Sequence, residues 1–333
     1  MKHLLIVGAG SVGKRHAQNL LEMGCKVSCV DPRIDRCEEL SKTILVENSF
    51  SCLDLALEDG GQFSGAVICS PPSFHVDQCI SLLEKGISIL LEKPISPDME
   101  SASRLLDISK NQDASVLLGY TFRWWEPLRH VNKLLKSGIL GDLHHIYFVM
   151  SAHLADWHPW EDYREFFMAS RELGGGALLD ESHWIDIMLW FFGLPKDVYA
   201  RIEKLSSLEI DSDDNVDMIF EYEDNKRITM HLDLYGRPHE KHIKFVGEKG
   251  TMIWSVDPNE TAYCTSESEI NWVKKTYCCE RNDMFKEVAL EFLDILDGNK
   301  SPTCSLEDGL NVLKVIEAAR ESSFLKKRVD IVR

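Results

Sequence analysis

Residues 4–13, Leu-Leu-Ile-Val-Gly-Ala-Gly-Ser-Val-Gly, constrain the fold more than any other stretch of the chain. Leu4–Val7 is an unbroken apolar run of strand length, as expected for a parallel strand buried on both faces. It ends in Gly8, Gly10 and Gly13, and a helical pattern then runs from Ser11 to Met23 and stops at Gly24. In a strand–turn–helix unit each glycine has a task. Gly8 permits the tight turn, Gly10 lets backbone approach a pyrophosphate, and Gly13 lets the helix pack closely on the strand. The first helical residues, Ser11 and Val12, offer free N–H groups and a positive dipole end to phosphate. A second strand pattern, Lys26–Val30, ends in Asp31, close to the spacing of an acid that accepts hydrogen bonds from an adenosine ribose. The reading is a nicotinamide-dinucleotide site. A glycine-rich turn without a ligand competes, and the flanking strand and helix weigh against it. Asp31 favours NAD over NADP, because a carboxylate repels a 2′-phosphate. Arg33 would soften that preference unless it is a solvated loop charge.

Strand patterns at Leu4–Val7, Lys26–Val30, Ala66–Cys69, Ile87–Leu91 and Ser115–Leu118 alternate with helical ones such as Phe74–Glu84 and Met99–Ser109. That rhythm predicts an α/β Rossmann domain with a doubly wound parallel sheet. Ligands of such sheets sit beyond the carboxyl ends of the strands. Ser70, Pro71 and Pro72 follow one strand, Glu92, Lys93 and Pro94 the next, and Gly119-Tyr120 the next. After Tyr120 strand patterns dominate: Leu143–Leu154, a hairpin of Val216–Tyr222 with Arg227–Tyr235, His242–Val246 and Thr251–Ser255. One apolar helix, Ala177–Phe192, interrupts them, and helices near 283–296 and 306–323 end the chain. The expected division is a Rossmann domain over 1–121 and an α+β domain over 122–333, built on a large, mostly antiparallel open sheet.

With 333 residues the chain is long enough for two domains. A net charge of −17 argues against nucleic acid and anionic membrane surfaces as partners. No apolar run is long enough to span a bilayer, and no leader pattern precedes the first strand, so a cytoplasmic protein is expected. The ten cysteines are scattered without paired Cys-x-x-Cys sets, which reads as reduced thiols rather than disulfides or zinc. His153 and His158 lack metal-ligand spacing, so no metal is expected.

Two constellations carry chemistry. Lys93 ends an apolar strand at the cofactor crevice, beside a proline that restricts the backbone. Its ammonium would stabilise alkoxide character on a reacting carbinol; a surface lysine in a strand-to-helix loop is the competing reading. Gly174, Gly175 and Gly176 precede a helix that is apolar almost all round, yet Asp180, His183 and Asp186 recur on it every three residues. Such buried polar groups need partners or a cavity. His183 is suited to take a hydroxyl proton, and Asp180 to orient the imidazole or hold substrate. Tyr120 and Arg123, just past a strand end, and Trp157 and Tyr163, in the polar aromatic loop Asp156–Arg164, are the remaining substrate-binding candidates. Trp160 lies in the same loop.

Together these residues resemble the glucose–fructose oxidoreductase, inositol dehydrogenase and MocA family. The resemblance runs through Gly8-x-Gly10-x-x-Gly13 with His16, Ser70-Pro71-Pro72-x-x-His75, Glu92-Lys93-Pro94, and Gly174-Gly-Gly with Asp180, His183 and Asp186. It implies NAD(P)-dependent oxidation or reduction of a sugar or cyclitol, with Lys93 and His183 at the catalytic positions. It implies that Ser70, Pro71, Pro72, His75, Glu92 and Lys93 join the glycine loop around the cofactor. It also implies a homodimer or homotetramer formed through the C-terminal sheet. Many members carry Asp-x-x-x-His where this chain has Asp180-Glu-Ser-His183, one residue shorter, so Glu181 competes with Asp180 for the carboxylate role. The aromatic loop looks like a branch tied to surface-polysaccharide sugars. Two other outcomes stay open: an NAD-dependent glycosidase-type enzyme with transient redox, and a non-catalytic dinucleotide-binding regulator.

Overall fold

The computed structural model of the chain describes every residue except 59–61, 158, 160, 266–269 and 333. It separates into a first unit of Met1–Trp124 with Glu280–Leu310 and a second of Trp125–Cys279 with Asn311–Arg333.

In the first unit the short apolar runs become parallel strands: β1 (His3–Val7), β2 (Lys26–Val30), β3 (Ser49–Phe50), β4 (Gly65–Ile68), β5 (Ile89–Glu92) and β6 (Val116–Gly119). Their order, β3-β2-β1-β4-β5-β6, reverses direction between β1 and β4, which creates the crevice where doubly wound sheets take ligands. Leu4, Leu5, Ile6, Val67, Leu90 and Leu117 are wholly buried, as strands covered on both faces require. The helices α1 (Ser11–Glu22), α2 (Ile34–Thr43), α3 (Leu53–Glu58), α4 (His75–Leu83) and α5 (Met99–Ser109) connect them.

The chain then returns to this unit, which corrects the expected single crossing at 121. The helix Arg281–Leu296 (α9 in chain order) buries Met284, Phe285, Val288, Phe292 and Ile295. Gly65 lies directly beneath it, since a Cβ there would come 3.0 Å from Phe292 and Leu296. Leu118 N donates to Cys304 O at 2.9 Å, so the segment after α9 lies along β6. Glu291 ties the return together, accepting from Trp124 Nε1 (3.0 Å), Lys300 Nζ (2.6 Å) and Thr303 N (2.9 Å). Burial pushes the Glu291 carboxyl up, and these donors outweigh that and leave its pKa below the ordinary value.

The second unit contains α6 (Glu126–Lys136), β7 (Leu143–Ser151), α7 (Ala177–Asp180), α8 (Ser182–Phe192), β8 (Asp197–Glu203), β9 (Asn215–Glu221), β10 (Arg227–Asp233), β11 (Glu240–Gly247), β12 (Gly250–Ser255), β13 (Glu260–Thr265) and β14 (Val273–Thr276). The long α10 (Leu306–Leu325) has residues in both units, and β15 (Val329–Asp330) closes the chain on β8. The sheet order is β14-β13-β12-β11-β7-β10-β9-β8-β15. Every neighbouring pair is antiparallel except β7 and β10. Alternation sorts the two faces. Phe148, Met218, Met230, Phe245 and Trp254 are buried, and Trp184 of α8 packs edge-on to Phe148 and tilted against Trp254. The opposite face carries Tyr147, Thr229, His231 and Lys244, all at least partly exposed. Among the described residues no helix is long and apolar enough to cross a membrane.

Candidate functional site

The glycine loop of the first unit is shaped by sterics. Gly8 has φ +97°, and a Cβ on it would come 2.8 Å from the Cys69 carbonyl and Ser70 N. A Cβ at Gly13 would overlap the Gly8 carbonyl oxygen, whereas one at Gly10 would meet nothing within 4 Å. Gly10 therefore faces open space at the N-terminus of α1, beside the partly exposed Val12 and the exposed Ser11. That cradle and its free N–H groups suit a pyrophosphate. Asp31 is buried at the end of β2, where Oδ2 accepts from Ala9 N (2.8 Å) and Oδ1 from Arg33 N (2.9 Å). Each oxygen keeps lone-pair capacity for a ribose hydroxyl. The Arg33 guanidinium bonds Asp35 at 2.9 Å. These residues fit a dinucleotide.

Two fully buried histidines bracket the Glu92-Lys93-Pro94 segment. His16, one turn past Gly13, donates from Nε2 to Glu92 Oε1 at 2.8 Å. Gly119, opposite Glu92 on β6, leaves room for that carboxylate. His75 sits between Pro94 O (2.7 Å from Nδ1) and Ser70 O (2.8 Å from Nε2). Burial lowers the pKa of the His75 ring, and the two carbonyls and nearby Glu92 oppose that. His75 thus lies under the Ser70-Pro71-Pro72 loop instead of on its surface. Lys93 between the histidines is partly exposed, and the Lys93–Pro94 peptide is cis.

In the second unit the expected single helix is two. A break at Glu181 (φ −88°, ψ 18°) separates α7 from α8. Glu181 is buried and accepts from Trp184 Nε1 at 3.0 Å. Asp180 is 7% exposed at the end of α7 and Asp186 is wholly buried, while His183 is partly exposed. The expected stripe is thus unequal, with the imidazole its most accessible member. A Cβ at Gly175 would overlap the carbonyl oxygen of Phe167, and one at Gly176 the Asp213 carboxylate, so backbone passes closely on both sides. No sequence signal singles out Asp213, because the run Asp211-Ser212-Asp213-Asp214 before a strand reads as a solvated turn.

The remaining candidates follow β6 or lie in the 156–164 loop. Arg123 bonds Thr303 O (3.3 Å) and Asp308 (3.2 Å), anchoring the returning segment. Tyr120 is fully buried. The Tyr163 hydroxyl accepts from Glu209 N at 3.2 Å. Trp157 is partly exposed, with its Nε1 buried and lacking a partner among the described residues. The start of this loop is held by a two-point pair of Asp156 with Arg237 (2.7 and 2.8 Å). His158 and Trp160 lie outside the described residues.

Residues 2–120 match the family described as oxidoreductase family, NAD-binding Rossmann fold, and residues 128–253 match the GFO/IDH/MocA C-terminal domain. The chain is similar to the rhizopine catabolism protein MocA of Rhizobium meliloti, 27% identical over 192 residues, and the match spans 56% of either chain. It is similar to myo-inositol 2-dehydrogenase of Thermotoga maritima over nearly its whole length, with 23% identity across 98% of this chain and 97% of the relative. Among solved structures, a levoglucosan dehydrogenase in complex with NADH superposes with a TM-score of 0.88 over 100% of this chain and 99% of that one. At 17% identity this is a likeness of fold.

Proposed function

The chain belongs to the GFO/IDH/MocA family of oxidoreductases, with an NAD-binding Rossmann unit, and from that premise we propose a cytoplasmic dehydrogenase acting on a sugar, sugar derivative or cyclitol. The observation that carries the reading is Lys93, partly exposed at the carboxyl end of β5, where doubly wound sheets hold their ligands. The ten free thiols support a reducing compartment. NAD is favoured over NADP because Asp31 ends β2 and Arg33 is engaged by Asp35.

When bound, the nicotinamide supplies the hydride acceptor or donor. In the oxidative direction the His183 imidazole takes the hydroxyl proton of the substrate, and the Lys93 ammonium stabilises the negative charge growing on that oxygen. Asp180 is the carboxylate that orients the imidazole or the substrate, because Glu181 is turned to Trp184. Gly8, Gly10, Ser11, Val12, Gly13 and Asp31 hold the cofactor, with the Ser70–Pro72 loop and Glu92. His75 acts through that loop. Trp157 and Tyr163 are the loop residues offered to substrate, and the aromatic character of 156–164 points to sugars of surface polysaccharides. Self-association through the open face of the nine-stranded sheet belongs to the same reading.

The test follows absorbance of the reduced cofactor with aldoses, cyclitols, nucleotide sugars and keto-sugars, in both directions. A substrate-dependent signal, lowered at least about a hundredfold by Lys93→Met or His183→Ala with NADH affinity retained, is the expected result. Unchanged turnover in both variants would sink the assignment. Release of an aglycone without net reduction of cofactor would mark the glycosidase-type reaction instead. NADH binding without turnover of any substrate would favour the regulator.

A further inference from the structure

The helix pair that carries Asp180 and His183 does not begin freely. Residues 209–213 lie as a strap across the chain that leads into it. Glu209 N donates to the Tyr163 hydroxyl (3.2 Å), and Glu209 also receives Arg164 Nη1 at 2.9 Å. Asp211 accepts from Arg171 N (2.7 Å), and its own N–H donates to Ala169 O (3.1 Å). Ser212 Oγ donates to Met168 O (2.7 Å), the same oxygen that accepts from Gly176 N (3.0 Å). Asp213 makes the last contacts. Its carbonyl accepts from Ala177 N (2.9 Å) and its carboxylate from Leu178 N (2.8 Å), two of the N–H groups that the start of α7 leaves without intrahelical partners. Gly176, at φ +108°, has no side chain because the Asp213 carboxylate occupies the space a Cβ would need.

The strap is itself closed at its base. Asp214 is wholly buried and accepts from Leu205 N (2.7 Å), Ser206 N (3.1 Å) and Lys204 Nζ (3.0 Å). Adjacent aspartates therefore do opposite work: one pins the strap to its own loop, the other pins the strap to the start of α7. Asp180 ends α7 two residues beyond Leu178, and α8 with His183 starts directly after the break at Glu181, so an error at Leu178 reaches Asp180 along α7 and His183 only through that junction.

We propose that Asp213 is a positioning residue, which sets the placement of Asp180 and His183 by capping α7 from a strap 35 residues further along the chain. The proposal rests on the dehydrogenase reading only for its effect on turnover; the placement itself is independent of it. A displacement of about 1 Å in a reacting group can cost on the order of a hundredfold in rate.

The test compares the full-length protein with Asp213→Ala and Asp213→Asn. Asn keeps an oxygen acceptor for Leu178 N, while it removes the charge and replaces the second carboxylate oxygen with an NH2 group. Hydrogen exchange of the segment 174–183 is read alongside kcat, KM and NADH affinity. Asp213→Ala is expected to speed exchange at Ala177 and Leu178 and to lower kcat about tenfold to a hundredfold. NADH affinity should stay within about twofold, and Asp213→Asn should restore both slow exchange and turnover. Unchanged exchange in the Ala variant, or an Asn variant as damaged as Ala, overturns the proposal. If the Ala variant does not fold, protection of Leu178 in the Asn variant decides alone: retained protection supports the cap and lost protection overturns it. Exchange needs no substrate, so a protein that turns over nothing would fail the function reading while leaving this test intact.

Discussion

At position 13 a single methyl group decides whether the loop can close. Alanine there would place Cβ on the Gly8 carbonyl oxygen, so the strand–helix junction must open. At Gly10 nothing stands in the way, and its φ of −71° suits alanine. The two substitutions should therefore separate. Gly13→Ala should destabilise the protein by about 1–3 kcal/mol and weaken NADH binding. Gly10→Ala should leave unfolding within about 0.5 kcal/mol of the parent, yet lower NADH affinity about tenfold or more, because the methyl takes the space of the pyrophosphate. Urea unfolding with a fluorescence titration checks both, and a destabilised Gly10→Ala would contradict this account. Asp31 offers a second test at the same scale. Asp31→Asn keeps an acceptor for Ala9 N but removes the charge, so NADPH affinity should rise relative to NADH by about tenfold, read by the same titration.

Among elements, β9 and β10 share an Asp–His–Asp cluster that no motif announces. His231 on β10 meets Asp217 at 2.7 Å from Nδ1 and Asp233 at 3.0 Å from Nε2. The hydrogen bonds that His231 donates, to Asp217 first and then to Asp233, raise its pKa to about 9. A group whose pKa is higher in the folded than in the unfolded state adds stability when protonated. That contribution is complete below the ordinary histidine value of 6.5 and is lost as pH climbs through about 9. Asp217 and Asp233 are held below their ordinary value of 3.8, so their share is present above that pH and vanishes in strong acid. The parent should thus exceed His231→Gln in stability by more at about pH 6 than at about pH 10. An equal gap in urea midpoints at both would show that the cluster does not titrate as described.

For the whole molecule, the return of 280–310 means that neither terminus alone defines a folding unit. The five buried side chains of α9 are worth about 2 kcal/mol each, roughly 10 kcal/mol together. That is as large as the net stability of a typical domain. A fragment ending at Trp124 should therefore bind a hydrophobic dye and lack a cooperative urea transition, while the full chain shows the reverse. A monomeric, cooperatively unfolding fragment would restore the simple division near 121.

What is local could be read from residue order. Gly8, Gly10, Gly13, Asp31 and Lys93 all belong to successive βα units, in which a strand end has a fixed neighbour and spacing along the chain becomes spacing at the sheet edge. The alternation in Leu143–Leu154, Arg227–Tyr235 and the two strands that follow was readable for the same reason. Where separated segments meet is visible in the folded chain alone. The exposed Val-Lys-Lys-Thr of β14 and the two residues of β15 bury too little to leave a pattern. The parallel pairing of β7 with β10 joins segments whose contact no local period encodes. Arg123 was claimed by Thr303 and Asp308, 180 or more residues away in sequence. Asp213 matters only because Gly176 and Leu178 lie beneath it, and one chain's order of residues does not contain that coincidence. Chain entropy and packing choose such contacts together, which is why they appear only once the fold is complete.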